Sequence, residues 1–358
     1  MENRAGRMEI GIPSPLGGAR GGTVAGFTED ELLTTLRRLL SEETPGVRVG
    51  PGDDAAVVDM GWQSAVLTAD MLVEGVHFDR STISARDLGY KAVVVNVSDV
   101  AAMGGSPRYG LVSLGLPPDA DVAWVVELYG GIRDAAAEYA MSVVGGDTAR
   151  ADRVVVAVAI TGEVPKDAAV TRAGARPGDR IVVTGSLGAA AGGLHLSRAP
   201  ASEMGSALTS AWGRDLLAAQ FRPVARVGEG QTLAQRGATA MMDISDGLSL
   251  DLSRLCRESG VAATIHLADI PVAAGLSDIV DIVHAQPLDL ALSGGEDYEL
   301  LATLPAPAVS RAREQLGERF GTALTDIGEI REGEGLVAVD AEGTERPLEP
   351  KGWDHFAG

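Results

Sequence analysis

The chain of 358 residues contains a single cysteine, Cys256, which excludes both an intrachain disulfide and a cysteine-rich zinc site. Cys256 follows Leu252 and Leu255 on a segment with the apolar spacing of an amphipathic helix. A cysteine on such a face is typical of a buried structural thiol. We therefore expect Cys256 to be structural and not a nucleophile.

Positive charge is also scarce in the sequence. Thirty Lys and Arg residues stand against 50 Asp and Glu residues, which gives a formal net charge of −20 at pH 7. Nucleic-acid binding requires clustered Lys and Arg to neutralise phosphates, so this acidity argues against a nucleic-acid partner. It would also repel a nucleoside triphosphate unless metal ions lay between carboxylates and phosphates, which favours Mg²⁺ in any nucleotide site.

Long apolar runs are missing from the chain. None approaches the ~20 residues that a membrane-spanning helix needs. The first 25 residues are rich in Gly, Arg and Pro and lack the continuous apolar core of a secretory signal. We expect residues 1–25 to be a disordered tail, and we expect a cytoplasmic protein without a membrane partner.

The common phosphate-binding signatures are absent too. The sequence has neither a Gly-x-x-x-x-Gly-Lys-Ser/Thr loop nor the motifs of a protein kinase. The glycine-dense segment Gly185–Gly193 follows a predicted strand, and this pattern fits a phosphate cradle and a plain tight turn equally well. Any phosphoryl transfer must therefore be organised mostly by metal ions.

What the sequence does contain is a set of strand-like apolar runs, each followed by acidic residues. Carboxylates at strand ends make a poor core but are good ligands for Mg²⁺, which takes a few carboxylates together with phosphate oxygens and waters. The runs are Ser64–Thr68 before Asp70, Ala92–Val97 before Asp99, Ser142–Val144 before Asp147, and Ala238–Met242 before Asp243 and Asp246, and a further pair, Asp53-Asp54, follows Gly52. The pattern indicates nucleotide chemistry.

Taken singly, several of these motifs also have a purely structural interpretation. Asp53-Asp54 is compatible with a solvated turn, because Asp is common in turns. Asp99, or Ser98 before it, has the position of a helix N-cap at the end of the predicted strand. For the two glycines before Asp147, by contrast, close approach of the backbone to a ligand is a better explanation than flexibility.

The order of predicted elements indicates two layered α/β or α+β domains, since runs apolar on both faces are typical of strands covered by helices. We predict a boundary in the Pro- and Gly-containing segment Val164–Asp179, with domains over 26–164 and 165–358. Predicted strands are Ala55–Val58, Ser64–Thr68, Ala92–Val97, Leu111–Leu116, Val154–Thr161, Arg180–Thr184, Ala262–His266 and Leu300–Thr303, and predicted helices start at Ser84 or cover Asp121–Tyr139, Pro223–Gly237 and Leu248–Glu258.

In combination, the motifs resemble the thiamine-monophosphate kinase family, a branch of the aminoimidazole-ribonucleotide-synthetase-like ATP-binding superfamily. The resemblance runs from about Phe27 to Phe356. It rests on Gly52–Ala55, Thr68–Asp70, Gly75–Phe78, Leu88–Ala92 with Asn96–Asp99, Gly145–Thr148, Thr171–Ala175, Asp243–Gly247 and Ser293–Tyr298. It implies a two-domain α/β (α+β) fold with mixed sheets flanked by helices.

The resemblance also implies the residues of the site. Those matching metal ligands are Asp53, Thr68, Asp70, Asp99, Asp147, Asp243 and Asp246; those matching ATP contacts are Tyr129, Gly146, Asp147, Arg172 and Ser245; those matching contacts to thiamine monophosphate are His77, Glu296 and Trp353. Ala69 departs from the Thr often found there, so a metal contact at this position must come from the backbone. Trp353 also fits a core-closing aromatic.

The implied activity is phosphorylation of thiamine monophosphate by ATP, assisted by several Mg²⁺ ions, in a homodimer. The acceptor is a phosphate monoester, largely dianionic near neutral pH, so direct in-line transfer needs no general base and we expect no catalytic side chain. The alternatives are another enzyme of this superfamily, of the phosphoribosylformylglycinamidine cyclase or selenophosphate synthetase type, and a non-catalytic nucleotide- or metal-binding regulator.

Overall fold

The computed structural model describes residues 45–50, 52–200, 207 and 210–354, together with Glu31 and Thr34. Residues from Pro45 to Trp353 form one compact unit. Outside this unit the described residues are Glu31 and Thr34, which are helical, and Asp354. The predicted tail over 1–25 lies outside the described residues.

The first half of the compact unit is a six-stranded mixed sheet covered on one face by two helices. The strand order is β1-β2-β3-β6-β4-β5. The elements are β1 (Val47–Val49), β2 (Ala56–Asp59), β3 (Gln63–Val73), α1 (Ala85–Ala102), β4 (Ser106–Leu116), α2 (Val122–Glu138), β5 (Ser142–Arg150) and β6 (Val155–Pro165).

The second half is built around a seven-stranded mixed sheet with the order β13-β12-β9-β11-β7-β10-β8. Its strands are β7 (Asp179–Thr184), β8 (Ala240–Asp243), β9 (Ala262–His266), β10 (Leu300–Pro305), β11 (Leu324–Arg331), β12 (Leu336–Val339) and β13 (Glu345–Pro347). Its helices are α3 (Ala189–Arg198), α4 (Ala211–Phe221), α5 (Val227–Gln235), α6 (Leu248–Ser259), α7 (Val280–Val283), α8 (Pro287–Ser293) and α9 (Ala306–Phe320). The predicted α/β fold class with mixed sheets is confirmed.

Helix α1 corrects the prediction of a strand over Ala92–Val97. The helix begins after Ser84, whose side chain accepts a hydrogen bond from Asp87 N, and it continues unbroken to Ala102. Its valine run is buried on nearly every side, and a helix that is apolar all round has no amphipathic signature. Ser98 and Asp99 therefore lie in the interior of a helix and are not N-cap residues.

Glycines allow α1 and α2 to pack backbone against backbone. A Cβ added at Gly89 would collide with the carbonyl of Leu128, and one added at Gly131 would collide with the carbonyl of Arg86. Helix α1 also contacts the second half of the chain, through the hydrogen bond from Ser98 to Asp243. At its far end, Ala102 belongs to a hydrophobic cluster that includes Leu233.

Two acidic positions expected after strands lie within strands. β3 continues through Asp70 to Val73, and β5 continues through Gly146 and Asp147 to Arg150. β5 runs parallel to β4, and a Cβ at Gly146 would collide with the backbone of Val112 on β4. Close strand contact thus explains this glycine without a ligand.

The face of the first sheet opposite its helices is exposed and largely apolar. Met71 on β3 is 54% exposed, and Tyr109 and Leu111 on β4 are 57% and 50% exposed. Val144 on β5 is 60% exposed. We call these four residues the open sheet face.

Among the described residues, no helix is long and apolar enough to cross a membrane.

Candidate metal centre

Three carboxylates that are far apart in sequence meet in the compact unit. Asp54 lies in the loop before β2, Asp99 lies in the last two turns of α1, and Asp243 ends β8. Each offers an oxygen, and these oxygens all lie within 4.8 Å of one another. Asp54 and Asp243 are buried, and Asp99 is partly exposed. We call this group the carboxylate cluster.

Neighbouring polar groups fix the orientation of the cluster. Ser98 Oγ on α1 donates to Asp243 Oδ2 at 2.6 Å, and Thr68 Oγ1 on β3 donates to Asp99 Oδ2. Asn96 Oδ1, also on α1, accepts from the backbone N–H of Asp70 at 3.0 Å. Helix α1 therefore joins β3 of the first sheet to β8 of the second at the cluster.

Arg172 supplies the positive charge beside the cluster. Its Nη2 and Nε donate to Asp54 at 2.8 and 3.2 Å, and its backbone N–H donates to Asp53 at 3.0 Å. Burial lowers the pKa of the guanidinium, but the charges of Asp54 and Asp53 raise it above its ordinary value. Arg172 was predicted as an ATP contact, and here it is an ion-pair partner of Asp54.

Crowding raises the pKa values of the acids. Burial raises the pKa of Asp53 to about 7, with a further contribution from the charge of Asp54, and burial raises that of Asp70 to about 6. The pKa values of Asp99 and Asp243 lie well above the ordinary value, first because of burial and then because of neighbouring acids. A divalent cation among these oxygens would favour their ionised forms. The donor set therefore fits Mg²⁺.

Asp246 lies three residues after Asp243, in the turn that precedes α6. Its carboxylate pairs with Arg254, which also pairs with Asp251 at 3.0 Å. Asp251 is fully buried and accepts from the backbone N–H groups of Asp246 and Gly247. Sequence reasoning missed Asp251, whose only signal is its position in the first turn of a predicted helix.

Two of the residues matched to acceptor contacts lie close to this turn. Trp353 is half exposed, and its backbone N–H donates to the Asp246 carbonyl at 3.1 Å. The backbone N–H of Glu296 donates to the Ser245 carbonyl at 2.7 Å. His77 lies after β3, where its Nδ1 accepts from Val73 N at 3.0 Å.

Asp147 does not join the carboxylate cluster of its own chain. The strand register pairs Met71 with Ala157, Ala157 with Ser113 and Ser113 with Asp147. With neighbouring strands ~4.8 Å apart, Asp147 lies about 14 Å across the sheet from Met71. It shares the exposed side of the sheet with Met71.

Tyr129, which was matched to an ATP contact, lies on α2 and is 38% exposed.

The glycine-dense segment after β7 is a turn closed by a carboxyl group of the protein itself. Asp297 accepts hydrogen bonds from the backbone N–H of Gly188 at 2.7 Å and of Ala190 at 3.3 Å, at the start of α3. These are the donors that a phosphate cradle would offer. Of the two interpretations left open for Gly185–Gly193, the structure supports the tight turn.

Sequence reasoning also missed Asp54 as a cluster member, since the resemblance pointed to Asp53. The adjacent acids carry the same sequence signal, and only the fold decides which one faces Asp99. Cys256 is buried, and burial raises the pKa of its thiol to about 12, as expected of a structural cysteine.

Comparisons with known proteins relate the chain to one family. Residues 52–164 match the family model of the AIR synthase related protein N-terminal domain, and residues 176–341 match that of its C-terminal domain. The chain is 39% identical to the thiamine-monophosphate kinase of Aquifex aeolicus over 85% of this chain and 92% of the relative. It is 34% identical to that of Bacillus subtilis, over 87% and 94%.

Solved structures give the same relationship. The structure described as AaThiL complexed with AMPPCP and TMP superposes with a TM-score of 0.80 and 35% identity, covering 94% of this chain and all of that chain. The thiamine-monophosphate kinase of Stenotrophomonas maltophilia K279a gives 0.69 and 33%, over 87% and 97%. The hydrogenase maturation protein HypE in complex with ATP, at 21% identity and 0.64, shares the fold.

Proposed function

The chain belongs to the thiamine-monophosphate kinase family of AIR synthase related proteins, and we propose that it transfers the γ-phosphoryl group of ATP to thiamine monophosphate. The products are thiamine diphosphate and ADP. The observation that carries this proposal is the convergence of Asp54, Asp99 and Asp243. ATP is an intracellular co-substrate, so we also propose a cytoplasmic location.

The main obstacle to this reaction is the repulsion between two polyanions. Asp54, Asp99 and Asp243 would hold Mg²⁺, with Asp53, Asp70 and Asp246 as further candidate ligands around them. Bound Mg²⁺ supplies positive charge that offsets the repulsion and stabilises the transferring phosphoryl group. The acceptor phosphate is its own nucleophile, so no side chain has to remove a proton.

The protein's own groups hold this arrangement in place. Ser98 and Thr68 each donate a hydrogen bond to a cluster carboxylate and so direct its remaining oxygen lone pairs. Arg172 holds Asp54 with two hydrogen bonds and offsets part of the negative charge. Such preorganisation lowers the reorganisation needed when charge shifts in the transition state.

On the acceptor side we propose contacts from Glu296, His77 and Trp353. A flat indole is a suitable wall for a cationic thiazolium ring. On the ATP side we propose Tyr129, Gly146 and Ser245. We also propose an ATP contact from Arg172. Its guanidinium would make this contact while keeping its ion pair with Asp54.

We further propose that two copies pair through the open sheet face. An exposed sheet face with several large apolar side chains is typical of a protein–protein interface. Asp147 lies on the same side of the sheet as Met71 and Leu111, so the pairing would bring it to the interface. This gives Asp147 a route to a metal or ATP contact that its own chain does not offer.

The test is a product assay. Purified protein, Mg-ATP and thiamine monophosphate should yield thiamine diphosphate, separated by chromatography, with one ADP per product. Asp99→Asn should abolish thiamine diphosphate formation. The control is Asp152→Asn, which should leave it intact, because Asp152 is an exposed acid between β5 and β6. ATP binding without any thiamine diphosphate would favour the regulatory alternative, and a covalent phosphoprotein during turnover would contradict direct transfer.

One alternative enzyme has a specific observation against it. A selenophosphate synthetase would be expected to carry a reactive Cys or selenocysteine near its N-terminus. The single cysteine here, Cys256, is buried in α6, and its thiol pKa is raised to about 12. A thiol in that environment is not a nucleophile near neutral pH.

A further inference from the structure

A buried polar network joins α1, α4 and the loop before β10. Lys91 Nζ on α1 lies 2.6 Å from Glu296 Oε1 and donates to the backbone carbonyl of Gln220 at 3.0 Å. Gln220, near the end of α4, donates its side-chain Nε2 to Glu296 Oε2 at 2.8 Å. The two carboxylate oxygens of Glu296 are therefore held from separate helices.

Packing alone does not explain this network. The side chain of Lys91 is only 3% exposed, and lysine is almost never buried without a specific partner. Glu296 has a φ of +68°, a left-handed conformation that is strained for a residue with a side chain. Among the described residues, Gln220 Oε1 is buried and accepts no hydrogen bond. The network thus carries unfavourable features whose common result is a fixed Glu296 carboxylate.

The orientation of the Gln220 amide follows from its neighbours. Both oxygens of Glu296 are acceptors, so the amide nitrogen must face them and the amide oxygen must point away. An apolar side chain of similar size would remove the unpaired oxygen. The hydrogen bond to Glu296 Oε2 offsets the cost of burying the Gln220 amide, whose oxygen has no partner among the described residues.

Helix α1 relates this network to the carboxylate cluster. Lys91 and Ser98 are seven residues apart, two turns along the same face, which corresponds to about 10 Å. Ser98 holds Asp243 of the cluster. Glu296, paired with Lys91 and with its side chain 26% exposed, would thus meet a part of the acceptor away from a phosphate bound at the cluster.

We propose that Lys91 and Gln220 are positioning residues that aim the Glu296 carboxylate at an N–H donor of the acceptor, the exocyclic amino group of its pyrimidine ring. This inference rests on the proposed function. A carboxylate accepts hydrogen bonds and donates none, so it selects an amino group over an oxo group at this place. The network sets acceptor specificity, and the phosphoryl transfer takes place at the cluster.

The experiment compares two acceptors, thiamine monophosphate and oxythiamine monophosphate, in which an oxo group replaces the amino group. The variants are Gln220→Leu and Lys91→Met, each close in volume to the original side chain. Gln231→Leu is the matched control, because Gln231 also donates its side-chain amide at a helix surface, to Gly105 and Ser106, outside this network. Circular dichroism and thermal unfolding check that each variant folds.

We expect the wild type to prefer the amino acceptor, and Gln220→Leu to lower kcat/KM for that acceptor about tenfold through KM. Its kcat/KM for the oxo acceptor should stay nearly unchanged, so that the preference shrinks. Lys91→Met should act in the same direction, and Gln231→Leu should leave the preference intact. If Lys91→Met does not fold, Gln220→Leu decides alone.

Three results would overturn the inference: a wild type indifferent to the amino group, a Gln220→Leu variant with unchanged preference, or equal losses on both acceptors. The last would indicate a merely structural role. A wild type that phosphorylates neither acceptor would instead overturn the proposed function, so the two failures are distinguishable.

Discussion

Ser98, in the interior of α1, donates a 2.6 Å hydrogen bond to the carboxylate of Asp243, which lies 145 residues later in the chain at the end of β8. The next residue on the helix, Asp99, contributes its own carboxylate to the same cluster. One turn of α1 thus assembles acids from both halves of the protein. Loss of either half would leave an incomplete ligand set.

Replacing Asp99 should separate metal binding from folding. Asp99→Asn removes a charge from a crowded cluster, so we expect metal-free protein at least as stable as the wild type, with kinase activity abolished. The rise in melting temperature on adding Mg²⁺ with an ATP analogue should also be lost. Thermal unfolding and the product assay measure both effects, with Asp152→Asn as control. Asp70→Asn should lose activity in the same way as Asp99→Asn. Near-wild-type activity of both variants at limiting Mg²⁺ would refute the assignment.

Arg172 and Asp54 should be strongly coupled in stability. Arg172→Met leaves the buried carboxylate of Asp54 without its cation, which costs about 3–5 kcal/mol of unfolding free energy in metal-free protein. Adding Asp54→Asn should recover much of this loss. Urea denaturation of the two single variants and the double variant gives the coupling. Arg331→Met, at an exposed pair with Glu329, should change stability by about 0.5 kcal/mol or less, and a similar small loss at Arg172 would contradict the ion pair.

The open sheet face should control the oligomeric state. Leu111→Glu puts a charge into the proposed interface and should convert a dimer into a monomer, because burying an unpaired charge is costly. Trp62→Glu is the control, since Trp62 is 97% exposed at the β2–β3 turn. Sedimentation at micromolar concentration measures the mass. A monomeric wild type would rule out this interface.

Asp297 should make stability depend on pH. Burial raises its pKa to about 8 from an ordinary value of 3.8. Because the folded-state pKa is the higher one, the native state keeps a proton that the unfolded chain releases, so the stabilising contribution is full below about pH 4 and is lost as the pH rises through 8.

The variant Asp297→Asn cannot titrate at this position. The advantage of the wild type over Asp297→Asn in unfolding free energy should therefore shrink between pH 6 and pH 9. Urea denaturation across that range measures it. An advantage that stays constant with pH would show that the carboxylate is ionised throughout.

The sequence predicted much of the fold because strands and amphipathic helices have clear periods. The strand expected at Leu111–Leu116 lies within β4, and the helix expected at Asp121–Tyr139 is α2 with its two cap residues. One wrong prediction, a strand over Ala92–Val97, arose because a β-branched run buried on all sides carries no helical period. Contacts from both halves of the chain keep this segment helical.

The site was predictable in composition but not in detail. Motif resemblance supplied Asp99 and Asp243, but spacing cannot tell whether Asp53 or Asp54 faces them, since adjacent residues point in different directions. Lys91 and Gln220 carry no local signal at all, because their role exists only once α1 and α4 meet at Glu296. The role of such residues becomes visible only in the tertiary structure.

The most direct test of the carboxylate cluster is a crystal structure with Mn²⁺ in place of Mg²⁺ and a non-hydrolysable ATP analogue. Anomalous scattering then locates the ions independently of the protein atoms. We expect at least one Mn²⁺ bound directly to oxygens of Asp54, Asp99 and Asp243 and to a phosphate of the analogue. Ions bound to the analogue with none of these three carboxylates in contact would contradict the metal centre.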